Sequence, residues 1–233
     1  MRAAVIVFPG SNAEVEMCRA LTLAGASART VWHREPNLPP DTELVALPGG
    51  FAHGDYLRCG AVARTSPVIA AVRAHAARGG LVLGVCNGFQ VLTEAGLLPG
   101  ALVANAHLRF ECSDRWVTVE AEGPFTPRAG VRLRLPVAHG EGRYHVDAEA
   151  LARLRSEGRV ALTYRLASGA SPDEFNGSLD AIAGVYGGPS KNVLGMMPHP
   201  ERAAEPYVGN TDGRSIFDAA VEWCASRQSR ACA

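Results

Sequence analysis

The sequence predicts an α/β fold, a mostly parallel open sheet flanked by helices with antiparallel additions in the C-terminal half. Three observations predict it. In the first hundred residues, short continuous apolar runs alternate with stretches whose apolar residues recur at helical spacing, and those stretches close on glycine. Strands that alternate with helices need right-handed crossovers, which set neighbouring strands parallel and cover both faces of the sheet. After about residue 100 the runs shorten, alternate with polar residues and are separated by Gly, Pro and Ser turns, as antiparallel strands are.

"AAVIVF" (residues 3–8) is the first strand, apolar throughout and rich in β-branched residues. It is too short for a signal segment and ends in a Pro-Gly turn instead of a small-residue cleavage site. "SNAEVEMCRALTLAG" follows as a helix capped by Ser11 or Asn12 and ended at Gly25. "ARTVW" and "LVALP" are the next two strands, "SPVIAAVRAHAARGG" a helix closed by Gly79 and Gly80, and "LVLGV" a fourth strand leading into the helix "FQVLTEAG". "RWVTVEAE", "VRLRLPVAH", "RVALTYRL", "AIAGVY" and "NVLGMMP" supply the shorter strands, and "DGRSIFDAAVEWCAS" the final helix. Gly169 to Gly177 reads as an exposed loop. No internal repeat or low-complexity linker marks a second domain, so one domain is expected over residues 1–226, with 227–233 as a frayed tail.

Composition excludes several function classes. Lys+Arg and Asp+Glu both number 23, so no net field draws the chain to nucleic acid or an anionic membrane. No apolar stretch approaches the roughly 20 residues that cross a bilayer. The six cysteines form no Cys-x-x-Cys pair, which argues against a disulfide framework and a zinc site and for a reducing cytoplasm. Function is therefore sought in the turns beyond the carboxyl ends of the strands, where open α/β sheets bind ligands: "FPGSN", "LPGGFAHGD", "GVCNGF" and "MMPHPE".

In "GVCNGF", Gly84 and Gly88 flank Cys86 where a strand must reverse sharply into a helix. This is the glycine-x-nucleophile-x-glycine elbow with cysteine as nucleophile. The helix N-terminus that follows favours a thiolate. The glycines are expected to let Cys86 stand clear of the core; the alternative is a small buried hydrophobe packed among glycines. A nucleophilic cysteine needs a base, and the base an orienting group. His199 is held extended by Pro200, and in an extended segment Glu201 points the same way as His199. One nitrogen of His199 is then free for Cys86, with the sulfur expected within about 4 Å. Among the other histidines, His33 and His75 sit beside arginines as surface residues, and His53, His107, His139 and His145 lie in loops. Gly50, after a strand, exposes an N–H that with the amide of Asn87 makes a two-donor oxyanion hole.

"PGGF", "GVCNGFQ" and "MPHPER" in this order resemble the class I (triad) glutamine amidotransferases, whose domain is flavodoxin-like. "FPGSN", "GGFAHGDYLRCGA", "LRFEC", "AHGEGRY" and "MMPHPERA" resemble, more narrowly, the glutaminase subunits of phosphoribosylformylglycinamidine synthase, from Ala3 to about residue 224. The resemblance implies Cys86 as nucleophile, His199 as general base, Glu201 as its orienting residue, and Gly50 and Asn87 as oxyanion donors. It implies Gln90 as a contact to substrate glutamine, with Arg109, Phe110, His139 and Gly140 as further pocket walls. Two departures stand outside the triad: Ala13 where many relatives carry Cys, and "DEFNGS" in place of Asn-Pro-Asn-Gly-Ser.

The implied reaction is hydrolysis of L-glutamine to glutamate through a cysteinyl thioester. The ammonia is implied to pass to a PurL-type ATP-dependent synthetase subunit, with a PurS-type small subunit, in purine biosynthesis. No metal or other cofactor is expected in this chain, which has no Walker loop and no acidic metal cluster; ATP and magnesium are expected at the synthetase subunit. Three rivals are weaker. A self-sufficient cysteine hydrolase or γ-glutamyl peptidase on the same fold leaves "HGEGRY" and "LRFEC" unexplained. A flavodoxin-like binding module lacks an aromatic pair for a flavin, and an idle scaffold subunit has no need of a triad.

Overall fold

The predicted parallel half forms from β1 (Arg2–Val7), β2 (Ser27–Trp32), β3 (Leu44–Leu47) and β4 (Leu81–Val85), paired in the order β2-β1-β3-β4. The computed structural model describes residues 1–168 and 172–231. Every residue of β3 and β4 is buried, as both faces of a central parallel strand require. The crossovers are α1 (Glu14–Leu23), which turns Met17, Ala20 and Leu21 inward, and α2 (Val68–Ala77), which buries Val68, Ile69, Val72 and Ala76. α3 (Asn87–Glu94) leaves the sheet directly from β4. Neither Ser11 nor Asn12 caps α1: the helix starts after Ala13 without a side-chain cap, because Ser11 Oγ accepts the Phe8 amide (3.0 Å) within the turn.

After a short β5 (Ala101–Val103) come β6 (Glu111–Val119), β7 (Arg132–His139), β8 (Arg143–His145), β9 (Val160–Arg165), β10 (Ile182–Gly187) and β11 (Val193–Met196). β10, β9, β6 and β7 extend the sheet antiparallel, to nine strands in all, while β5 and β8 pair separately. The last strand departs from the antiparallel expectation. β11 slots between β4 and β10, parallel to β4, and its carboxyl end emerges beside the Cys86 elbow.

A helix absent from the sequence-based assignment, α4 (Ala148–Ser156), lies between β8 and β9, capped by Asp147, whose side chain accepts the Ala150 amide. Residues 169–171 of the predicted exposed loop lie outside the described residues. Its later part is exposed at Pro172, Glu174 and Gly177 but not throughout: Asp173 and Asn176 are buried, and Asn176 Nδ2 donates to Gly142 O (3.0 Å). The final helix, α5 (Arg214–Ala231), runs past residue 226, so the backbone expected to fray is helical to Ala231; residues 232 and 233 lie outside the described set. Among the described residues no helix is long and apolar enough to cross a membrane.

Gly88 fixes how closely α3 lies on the sheet. A Cβ there would sit 1.9 Å from the carbonyl oxygen of Leu47. Both partners are backbone, so neither side chain can move to relieve the clash. Gly88→Ala is therefore expected to destabilise the fold by about 3 kcal/mol. Urea denaturation, read as a lower midpoint at unchanged slope, checks this.

Candidate active site

Three adjacent parallel strands, β3, β4 and β11, end on the same edge and deliver Gly50, Cys86 and His199 to it. Cys86 takes φ 51° and ψ −108°, a left-handed conformation that costs a non-glycine residue on the order of 1–3 kcal/mol and that an elbow imposes. Gly84 makes the sharp turn possible: a Cβ there would meet Leu92 Cδ1 at 2.5 Å and Gly88 O at 2.7 Å.

The elbow does not lift the thiol clear of the core as expected. Cys86 is only 5 % exposed, because β7 runs beside it: Sγ is 3.6 Å from Ala138 O, and the loop after β7 is tied down where Gln90 Nε2 donates to Glu141 O (2.7 Å). The strand neighbour of Cys86 is β11, with Cys86 N donating to Met196 O (2.8 Å).

His199 and Glu201 are brought together. Nδ1 and Oε1 lie 2.5 Å apart and both side chains are buried. The backbone that joins them is not the extended segment the sequence suggests, since Pro200–Ala203 form a single 3₁₀ turn that folds the carboxylate back under the ring. Burial pushes the His199 pKa down, but the Glu201 charge and then Cys86 overrule it and hold it up at about 10. His199 is thus an imidazolium at neutral pH. No geometrically formed hydrogen bond reaches Nε2 among the described residues, and Sγ lies 3.6 Å from Ala138 O. Cys86 is nonetheless one of the groups beside the imidazole that raise its pKa.

Gly50 lies opposite Ser11 in an antiparallel bridge whose flanking bonds are Phe51 N to Gly10 O (2.9 Å) and Asn12 N to Gly49 O (3.3 Å). That pattern leaves the Gly50 N–H unused. Its φ of +149° and the 2.7 Å that would separate a Cβ from Ser11 Cα require glycine. The Asn87 amide is the first of α3, where no helical carbonyl is available to it. The Asn87 side chain anchors the elbow, accepting from Ala52 N and donating to Asp55 Oδ1 and Gln90 Oε1, each at 3.0 Å.

The predicted pocket walls divide. Gln90 is buried one turn below Cys86, with its amide engaged by Asn87 and Glu141. His139 ends β7 and is buried, with Nδ1 3.1 Å from Asn105 Oδ1. Phe110, half exposed, stands over Gly140 at the rim, whereas Arg109 is exposed and reaches the site only through its backbone carbonyl, which Asn105 Nδ2 holds. His33 and His75 are not surface residues: each is buried, on Ser66 Oγ (2.9 Å) and Leu81 O (3.2 Å) respectively. Asn105 and Asp55 are parts of the site that the sequence does not announce, since an asparagine in "VANAH" and an aspartate in "HGDYL" carry no spacing signal. Among the described residues no group of three or more His, Cys, Asp or Glu is placed to hold a metal ion.

With this geometry in hand, comparison with known proteins finds the CobB/CobQ-like glutamine amidotransferase domain matched over residues 1–224. The chain is 53 % identical over 223 residues to the phosphoribosylformylglycinamidine synthase subunit PurQ of Bradyrhizobium diazoefficiens, covering 93 % of this chain and 95 % of that protein. It is 54 % identical to the protein of the same name from Nitrobacter hamburgensis, with the same coverage. Among solved structures, a chain of PurLQS from Thermotoga maritima superposes with a TM-score of 0.85 at 40 % identity, covering 96 % of this chain and 98 % of that one.

Proposed function

Because the chain belongs to the PurQ family of glutamine amidotransferases, we propose that it releases ammonia from L-glutamine for phosphoribosylformylglycinamidine synthase. The chain is the glutaminase subunit of that complex, and its partners are PurL-type and PurS-type subunits. Ammonia made here is consumed by the ATP-dependent conversion of phosphoribosylformylglycinamide to formylglycinamidine ribonucleotide in purine biosynthesis. We assign no cofactor to this chain and place ATP and magnesium at the synthetase subunit, with the complex in the cytoplasm.

The observation that carries the site assignment is the pairing of a strained Cys86 elbow on β4 with a buried His199–Glu201 pair on the adjacent parallel strand β11. The Cys86 sulfur attacks the side-chain amide carbon of glutamine, and the Gly50 and Asn87 N–H groups take the charge that develops on its oxygen. His199, already protonated, delivers its proton to the departing nitrogen, the C–N bond breaks, and ammonia leaves the glutamyl thioester.

Having given its proton to the departing ammonia, His199 is neutral in the acyl-enzyme and takes a proton from the water that hydrolyses the thioester.

Reconstitution with the two partner subunits tests the function. With amide-labelled glutamine, ATP and phosphoribosylformylglycinamide, the amide nitrogen is expected in the product, one glutamate per product formed. Unlabelled product in the presence of unlabelled ammonium would count against the assignment.

A further inference from the structure

Gly49, in the turn after β3, is a glycine for a reason that its own backbone does not supply. It is buried, and its φ lies outside the left-handed region that favours glycine. A Cβ built on it would crowd no backbone atom, in contrast to one built on Gly50, Gly84 or Gly88. It would crowd the His199 ring instead, at 2.6 Å from Cε1 and 3.4 Å from Nδ1, with Ala13 Cβ next at an ordinary 3.7 Å. The bare Cα of Gly49 is the surface against which the imidazole lies.

Cε1 is the carbon between the two ring nitrogens, so a push on it moves both. Nδ1 lies 2.5 Å from Glu201 Oε1, and the His199 amide donates to Pro136 O (2.8 Å), which fixes where the side chain begins. Carbon atoms in contact settle at about 3.5 Å or more, so a methyl on Gly49 would displace the ring by about 1 Å.

The backbone beneath the ring is tied down. Gly49 O accepts the amides of Asn12 and Ala13, both at 3.3 Å, and Phe51 N donates to Gly10 O (2.9 Å) across the same bridge. The peptide unit that carries Gly49 O also carries the Gly50 N–H, and in a planar trans unit the two point in opposite directions. A shift of this backbone would therefore misaim the oxyanion donor, whereas a shift of the ring disturbs His199 alone.

We propose that Gly49 is a positioning residue for the reaction, whose missing side chain sets the His199 imidazole between Glu201 and Cys86. The proposal rests on the glutaminase function proposed above. The titratable groups around the ring are Glu201 on its own turn, Cys86 on the elbow and His139 at the end of β7, which burial keeps neutral with a pKa of about 4. Arg202 Nε stands 3.9 Å from Glu201 Oε1. Glu201 and Cys86 hold the proton on His199 against burial, so a ring displaced from them loses it at lower pH.

Gly49→Ala tests this in the reconstituted complex. It is expected to lower kcat for glutamine by about 10²-fold with little change in KM, the order that a 1 Å misplacement costs. The alkaline limb of the kcat profile, expected near pH 10 in the wild type, should move to lower pH. In the Glu201→Gln background the same substitution should cost little more, because the ring it displaces has already lost its partner. Full additivity of the two losses would mean that the backbone and its oxyanion donor had yielded, and would overturn the proposal. So would wild-type kcat and pH profile in Gly49→Ala, or loss of its cooperative urea transition, which would make Gly49 a requirement of the fold and not of the ring. Cys86→Ala is run in parallel, and glutamine-dependent turnover in that variant would overturn the glutaminase function itself.

Discussion

Cys86→Ala is expected to lower glutamine-dependent synthesis by the reconstituted complex by at least about 10³-fold, while added ammonium still supports synthesis. In the proposed mechanism the sulfur is the atom that bonds to the glutamyl carbon, and no neighbour can replace it. Cys59, on the loop after Asp55, is a second cysteine close to the site. Burial and the Asp55 and Glu141 carboxylates push its thiol pKa far up, which disfavours the thiolate. Because alanine is smaller than cysteine and Sγ has only a weak contact to Ala138 O, the fold should be preserved. Rates with glutamine and with ammonium, measured on the same preparation, check the prediction.

Glu201→Gln is expected to lower glutamine-dependent kcat by about 10⁴-fold, the order lost when a triad carboxylate becomes an amide. Glu201 holds His199 as an imidazolium against the penalty of burial, and its carboxylate fixes Nδ1 as the donor. With glutamine in its place burial prevails, the ring loses its proton, and the departing nitrogen has no acid.

A stability signature follows, and its sign is set by the raised folded-state pKa. The protonated pair stabilises the fold fully below the unfolded histidine value of roughly 6.5. That contribution is lost as pH rises through about 10. The stability gap between wild type and Glu201→Gln should therefore shrink from pH 6.5 toward pH 10. Urea denaturation across that range measures it, and a gap that widened with pH would contradict the charged pair.

The parallel half of the fold was legible because β1, β3 and β4 are apolar runs bounded by helical spacing, a pattern that buried parallel strands must carry. β11 was misplaced because "NVLGMMP" is apolar in the same way whichever neighbour it meets; only its insertion beside β4 makes it parallel. α4 was missed although Asp147 caps it, because its charged surface obscures the apolar stripe.

At the site, the elbow and the His-Pro-Glu segment could be picked out because each needs particular residue types at fixed spacing. Burial of Cys86 could not, since it depends on β7, more than fifty residues later, passing beside the elbow. Asn105 is invisible for the same reason: its importance lies in the atoms it meets from residues distant in the chain.

The central claim is that Cys86 carries the glutamyl group. Acid quenching during turnover with carbon-labelled glutamine, followed by peptide mapping, tests it most directly. The label should be found on the peptide containing Cys86 and should be lost on treatment with a thiol nucleophile. Label on the peptide containing Cys59, or glutamate production with no labelled peptide at any quench time, would contradict it.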